Sequence, residues 1–310
     1  MASGYTVSGL TTYVETNKDV LIKNIVLGFN GGDTIPMFRK QLNIKTKERL
    51  NYLDVDPVLQ DGSQCGFTPN GSTEFAERDI EVAQIKAQDQ YCDKDLLGKF
   101  AEYLVKTAAT KDGSDMPFEA EILDEVSKHI AEKMEKLVWQ GDKSNSDLID
   151  GFLTIAEGAD SAATITVTGS SATSISERIE AVLSDARIPE NILDKLTVFV
   201  SPANFRKLAF ELVKTYKYNA NMFGSEVEDK DIVFPGTSVK VHKTIGLSGS
   251  DKIYASPLVN MVYGTDLMND EEKIRFWYDD NSELFKYSIH WVAGVNTLYP
   301  DAVVIGDFSA

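Results

Sequence analysis

The sequence predicts an α+β protein, and three features carry that prediction. The first is a long amphipathic helix from Pro117 to Trp139, with Phe118, Ile122, Val126, Ile130 and Met134 at four-residue spacing and Leu137 and Val138 closing the stripe. The second is a region after Gly151 in which helical and strand patterns alternate. The third is a closing pair of alternating runs, Glu272 to Tyr278 and Leu284 to Val292, joined by the turn Asp279-Asp280-Asn281-Ser282.

In chain order, residues 1–13 are small and polar and read as an extended arm. A short helical pattern from Val14 to Phe29 follows, broken by Gly31-Gly32-Asp33 and Pro36. Segment 1–38 buries little by itself and is expected to dock elsewhere. Within 39–91, Arg39 to Arg49 is a basic, half-alternating strand pattern containing Lys40, Lys45 and Lys47. Its expected partner, Glu74 to Val82, is acidic through Glu74, Glu77, Asp79 and Glu81, and Asp61-Gly62 and Asn70-Gly71 mark turns between them. Such a hairpin has complementary charge between its arms and too little apolar surface for a core of its own. Two readings stay open: a solvated hairpin lying on a domain, or one whose missing core comes from the next subunit.

Residues 94–109 form a second amphipathic pattern with Leu97, Phe100, Ala101, Leu104, Val105 and Ala108. Asp112, Ser114 and Asp115 lack the rest of a calcium-loop pattern and read as a turn and helix cap. In the long helix, Glu132, Lys133, Glu135 and Lys136 are expected off the apolar face. At 1.5 Å per residue the rod is about 35 Å long. It stops at Trp139-Gln140-Gly141-Asp142, and the chain resumes at Ile149-Asp150-Gly151-Phe152-Leu153.

Residues 149–267 contain a β-prone run at Ala162 to Val167 and a capping box Ser174-Ile175-Ser176-Glu177 opening a helix through Ile179, Val182, Leu183 and Ala186. The apolar strand Leu196 to Val200 follows, and Ser201-Pro202 opens a helix with Phe205, Leu208, Ala209, Leu212 and Val213 inward. Strands are expected at Val239 to Val241, Lys252 to Ala255 and Val259 to Tyr263, which makes helices covering a mixed sheet. The 268–294 hairpin is expected beneath the long helix, and Val295 to Phe308 as a final strand rejoining the α/β domain.

Composition narrows function. The 310 residues suggest about two domains. A net charge of −17 argues against sequence-specific nucleic-acid binding, leaving confinement as the mode of any contact with DNA. Cys65 and Cys92 make neither a disulfide framework nor a zinc spacing. The first twenty residues lack a signal-peptide pattern, and no run approaches the roughly 20 apolar residues of a bilayer span; a reducing cytoplasm is the expected site of folding. The three histidines, His129, His242 and His290, lack metal-ligand spacing. Gly246 to Lys252 lacks the Gly-Lys-Ser/Thr of a phosphate loop, and no nucleophile elbow or Gly-x-Gly-x-x-Gly occurs. No catalytic, cofactor-binding or metal residue is therefore expected.

The helix exit, aromatic-x-Gly-Asp at Trp139 to Asp142 followed by Asp150-Gly151-Phe152, resembles the end of the spine helix in tailed-bacteriophage major capsid proteins of the Hong Kong 97-like fold. Further motifs fall in the matching order: Val198 to Leu208 (strand-Ser-Pro-helix), Phe234-Pro235-Gly236 before Val239-Lys240-Val241, and the terminal Tyr299-Pro300-Asp301-Ala302-Val303-Val304. The resemblance implies an N-arm (1–38), an E-loop hairpin with flanks (39–91), a P-domain (92–148 and 268–294) and an A-domain (149–267 and 295–310). It implies self-assembly into hexamers and pentamers around double-stranded DNA, in a virion built in the host bacterial cytoplasm. Partners would be a portal protein, a separate scaffold and auxiliary head proteins, with no cofactor and no membrane. Intersubunit contacts are expected at Arg39, Lys40, Lys45, Lys47, Arg49, Cys65, Phe67, Glu74, Glu77, Asp79 and Glu81. Some family members join a loop lysine to a neighbour's asparagine, but Lys45, Lys47 and Lys86 do not map onto that role. The alternatives are an encapsulin-like nanocompartment shell and a soluble α/β enzyme of another family.

Overall fold

Helix α1 spans Phe118–Gln140, 23 residues. Val126, Ile130, Met134 and Val138 are buried along it, as their spacing predicts, in one cluster with Ile85, Tyr287, Ile289 and Trp291 of the sheet beneath. Burial of each such side chain stabilises the fold by about 1.5–3 kcal/mol. The buried face is wider than the apolar stripe, because Ser127, Ala131 and Glu135 are buried as well. Glu135 thus departs from its expected place on the polar face. At the helix end, the Gly151 N–H donates to Gly141 O at 2.8 Å, folding the polar loop back onto the last turn.

The computed structural model describes residues 33–56, 58–59, 72–92, 118–145, 147–169, 174–216, 231–266, 274–279, 281–282 and 284–308. The arm up to residue 32, the turn segment with Cys65 and Phe67, the 94–109 helix, the turn with Asp112, Ser114 and Asp115, and Pro117 lie outside the described residues.

Three sheets are present among the described residues. The first, under α1, contains β1 (Arg39–Leu42), β4 (Ala83–Cys92), β10 (Met261–Thr265), β11 (Ile274–Asp279) and β12 (Leu284–Thr297). The 14-residue β12 is its axis, pairing antiparallel with β10, β11 and β4. The second is a two-stranded hairpin of β2 (Lys47–Asp56) and β3 (Ser72–Glu81). The third is a mixed six-stranded sheet in which β5 (Ile165–Thr168), β13 (Val304–Asp307), β9 (Ile253–Pro257), β6 (Leu196–Val200), β8 (Lys240–Lys243) and β7 (Asp231–Val233) lie side by side in that order.

The six-stranded sheet is buried on both faces. Val198 and Val200 of β6 join a core with α3 (Ile175–Leu183) and α5 (Pro202–Tyr216). The intervening Phe199 turns to the opposite core, shared with Trp139 of α1 and Phe152 of α2 (Phe152–Glu157). This is period-two alternation read on two covered faces. The capping box forms as expected, Ser174 Oγ accepting from the Glu177 N–H and Glu177 reaching back to the Ser174 N–H. A short α4 (Glu190–Leu193) leads into β6.

Several elements differ from expectation. The Arg39 to Arg49 strand breaks at Asn43, which takes a left-handed φ of 69°. Its first half, β1, pairs parallel with β10, and only Lys47 onward joins the hairpin. Ala83–Cys92, expected as a flank, is a full strand against β12. The expected final strand divides: Val295 to Thr297 prolong β12, Pro300–Ala302 is a 3-10 turn, and Val304–Asp307 is β13. β12 ends at Thr297, and Pro300, which has no N–H, stands in the first position of the 3-10 turn, where none is needed. Val259 lies in the 3-10 turn Leu258–Asn260 and is 72% exposed, the strand beginning only at Met261. Val213 is exposed and α3 ends at Leu183, leaving Ala186 outside, so both expected inward positions fail; Ile188 fills that corner of the core.

Candidate assembly surface

The β2–β3 hairpin is the element with the least support of its own. Its ladder runs from Lys47↔Glu81 through Arg49↔Asp79 and Asn51↔Glu77 to Asp56↔Ser72. Ten residues per arm give a reach of about 33 Å, and no third strand joins it among the described residues. On one face, Lys47 Nζ meets Asp79 at 2.9 Å and Glu81 at 3.6 Å, while Arg49 meets Glu77 at 2.8 Å and Asp79 at 3.6 Å. Hydrogen bonding with Asp79 raises the pKa of Lys47, and hydrogen bonding with Lys47 lowers that of Asp79. These groups are well exposed, so water screens the pairs; they favour the register more than they add stability.

The other face of the hairpin base is seated. Leu50 and Ile80 pack with Ile44, Val262 and Leu298 in a small separate core. The seat is bare backbone, because Gly264 of β10 and Gly294 of β12 stand opposite each other. A Cβ at Gly294 would lie 2.1 Å from Glu81 O, and one at Gly264 would lie 2.8 Å from Ile44 Cδ1 and 2.9 Å from Ile80 Cδ1. Side chains there would keep the hairpin from its place. The Val82 N–H donates to Thr46 O at 2.9 Å and closes the base. Arg78, inward-facing beside Ile80, donates through Nη2 to both carboxylate oxygens of Asp160, at 2.9 and 2.7 Å, and to Asn296 Oδ1 at 3.1 Å.

A second joint lies where the arm enters the body. The Glu135 carboxylate accepts from the Thr34 N–H at 2.7 Å, from the Thr34 hydroxyl, from the Ile35 N–H at 3.4 Å and from the Thr244 hydroxyl at 3.4 Å. Trp139 Nε1 donates to Thr34 Oγ1 at 2.8 Å, continuing the chain of hydrogen bonds. Burial pushes the Glu135 pKa up, the Thr34 hydrogen bonds offset part of that, and Asp33 pushes it further up. Gln140 Nε2 donates to Gly246 O and, at 3.2 Å, to Ser248 O, so the 244–248 turn is held against the helix end. Gly246 to Lys252, weighed above as a phosphate loop, serves here as packing.

The remaining expected site residues scatter. Arg39 and Lys40 lie in β1, away from the hairpin, with burial lowering the Lys40 pKa. Lys45 is exposed in the turn before β2, and Glu74 stands opposite Asp54 in the hairpin ladder. His129 is exposed between Glu125 and Glu132, His290 Nε2 contacts Ser288 Oγ at 2.8 Å, and His242 is buried against Asp231. Among the described residues, no group of three or more His, Cys, Asp or Glu is placed to hold a metal, and no helix is long and apolar enough to cross a membrane. Arg78, Asp160, Glu135, Thr34 and the two seat glycines were not singled out by sequence. Only Glu135 left a trace there, as the third of Ser127, Ala131 and Glu135 at four-residue spacing beside the apolar stripe.

No protein-family model matches the sequence, and no curated protein matches it. Solved structures do. A chain from the satellite phage P4 procapsid, a structure that includes size determination (Sid) protein, is similar with a TM-score of 0.58 at 11% identity, covering 100% of this chain and 94% of that one. A chain of Gordonia phage Cozz is similar with a TM-score of 0.56 at 13% identity, covering 90% and 87%. The virus-like particle from Pyrococcus furiosus is similar with a TM-score of 0.52 at 9% identity, covering 97% and 99%. At such identities the likeness is one of fold, and it spans nearly whole chains on both sides. The protein has the Hong Kong 97-like shell fold.

Proposed function

We propose that this protein is the major capsid protein of a tailed bacteriophage, a structural and non-catalytic subunit that assembles into hexamers and pentamers closing an icosahedral head around double-stranded DNA. The projecting hairpin carries this reading. Its outer arms form a two-stranded sheet with no further strand among the described residues, and an isolated pair of strands is marginal in water. A neighbouring subunit would supply the missing surface, with Arg49 and Glu77 at the boundary between seated base and projecting arms. In this reading β2–β3 is the E-loop, α1 with the five-stranded sheet is the P-domain, and the six-stranded body is the A-domain. The charge of −17 suits a wall that must not grip DNA during filling. A portal, a separate scaffold and auxiliary head proteins would complete the particle in the bacterial cytoplasm.

Sedimentation and electron microscopy of native particles, with the absorbance ratio read for nucleic acid, test this. DNA-filled shells support it; dimers or tetramers alone, even at high concentration with candidate scaffold added, overturn it. The full-length likeness to the Pyrococcus furiosus virus-like particle favours one second reading, a nanocompartment shell. Uniform shells filled with enzyme and free of DNA would establish that instead.

A further inference from the structure

We infer that Arg78 is the clamp that sets the direction in which the hairpin leaves the subunit. Its guanidinium ties three separate pieces of the chain together. Arg78 belongs to β3; Asp160 belongs to the turn after α2; Asn296 belongs to the end of β12. Each partner is itself fixed. The Asp160 N–H donates to Ile155 O and its carbonyl accepts from the Ala163 and Thr164 N–H groups, all at 2.9 Å. Thr297 Oγ1 donates to Asp160 Oδ2 at 3.2 Å. Asn296 Nδ2 donates to Asp79 O at 2.7 Å, so the same side chain that receives Arg78 also holds the hairpin backbone.

One other polar contact, Asn296 Nδ2 to the Asp79 carbonyl, also joins the hairpin to the body, and it runs through the same side chain that receives Arg78. The hairpin's exposed ion pairs join its own two strands, or in one case Glu81 to Lys143 at 3.6 Å, and they stiffen it without aiming it. The apolar seat over Gly264 and Gly294 is non-directional, so small rotations cost it little. The Arg78–Asp160 pair, with side chains 16% and 9% exposed, is directional and little screened. From Arg78 to Ser72 the strand extends about 20 Å. A rotation of roughly 10° at the clamp would move that end by about 3.5 Å, the width of one atomic contact. In a closed shell built from repeated contacts, such an error changes curvature at every junction; this consequence rests on the shell function proposed above, whereas the clamp does not.

The test uses the unassembled subunit with Cys65 and Cys92 replaced by serine and spin labels at Asp56→Cys, at the far end of β2 opposite Ser72, and at Glu190→Cys in α4. Arg78→Met with Asp160→Asn removes the pair without leaving a lone buried charge. The expected result is a label-to-label distance distribution at least twofold wider than the parent's, with a urea midpoint close to the parent's. An unchanged width overturns the clamp. If the double variant does not fold, Arg78→Lys, which keeps the charge but is shorter than the side chain whose Nη2 makes all three contacts, makes the same comparison, and unchanged width again overturns it. Electron microscopy of particles from the same variants reads the consequence: mixed diameters or open sheets against uniform parent shells. A parent that forms no shells refutes the proposed function, while the distance widths still judge the clamp.

Discussion

Substituting Gly246 by alanine tests how tightly the helix end is locked to the six-stranded body. The added Cβ would lie 2.0 Å from Trp139 Cδ1, 2.6 Å from Trp139 Cγ and 2.7 Å from the Glu135 carbonyl oxygen. Ordinary carbon contacts begin near 3.5 Å, so the indole would have to retreat by about 1.5 Å. It has nowhere to go, since its ring centroid is 4.9 Å from that of Phe199, 5.3 Å from Tyr254, 5.6 Å from Phe152 and 6.0 Å from Phe38. Moving it would also break its bond to Thr34, whose hydroxyl serves Glu135. Overpacking costs about 1–3 kcal/mol, and these constraints place the variant near 3. Urea unfolding of the subunit measures it. Trp139→Ala alone should cost about 3–5 kcal/mol. With the ring gone, adding Gly246→Ala should cost only the remaining approach to the Glu135 carbonyl, so the double variant falls short of the sum by roughly 2 kcal/mol. Additive costs, or a neutral Gly246→Ala, would refute the packing argument.

Three further outcomes are expected. Glu135 holds its proton in the folded chain at pH values where the unfolded chain, with an ordinary value of 4.5, has lost it. The folded state therefore binds more protons, and stability falls as pH rises from about 4.5 through the raised folded pKa. Glu135→Gln should remove that slope, and urea midpoints from pH 4 to 8 that run parallel in the two proteins would rule it out. Gly294→Ala meets backbone at Glu81 and Val82 and should unseat the hairpin base, exposing the Val82 amide, which donates to Thr46 O, to hydrogen exchange, whereas Gly264→Ala meets the ends of Ile44, Ile80 and Val82 side chains and should do so less. Equal exchange in the two would contradict the seat. Deleting Asp61 to Ser72 should leave a folded subunit that does not close shells, and normal shells from that deletion would remove the hairpin from assembly.

The secondary elements were legible wherever one periodic signal dominated. The spacing of Val126, Ile130, Met134 and Val138 gave the long helix and its buried side, Ser174 and Glu177 gave the start of α3, and the alternation after Leu284 gave most of β12. Ala83–Cys92 was missed although Ala83, Ile85, Ala87 and Tyr91 alternate toward the helix, because two of the four are alanines and the intervening Gln84, Lys86, Gln88 and Gln90 made the run look like a flank. The one local sign of the break in Arg39 to Arg49 is Asn43 itself, a residue type that tolerates the left-handed region, and it is easily lost among the polar residues around it.

The site was less legible for a different reason: its determinants are pairings between residues far apart in the chain. Gly264 and Gly294 each look like a weak point in a strand, and only their register, one opposite the other, turns them into a seat for Ile80. Arg78 sits among the acidic residues of β3 as one more charge, yet strand parity separates it from Glu77 and Asp79. Those two share the exposed face with Lys47 and Arg49, while Arg78 and Ile80 share the inward one. The same alternation that gives the hairpin its solvated ion pairs thus directs one arginine into the body, where Asp160 and Asn296 meet it. A hairpin too poor in apolar surface to hold itself is in this way seated at its base by a small apolar core and by one inward charge, while its exposed pairs lie along the outer face. That division follows from strand geometry, and it needs no feature of the turn between the arms.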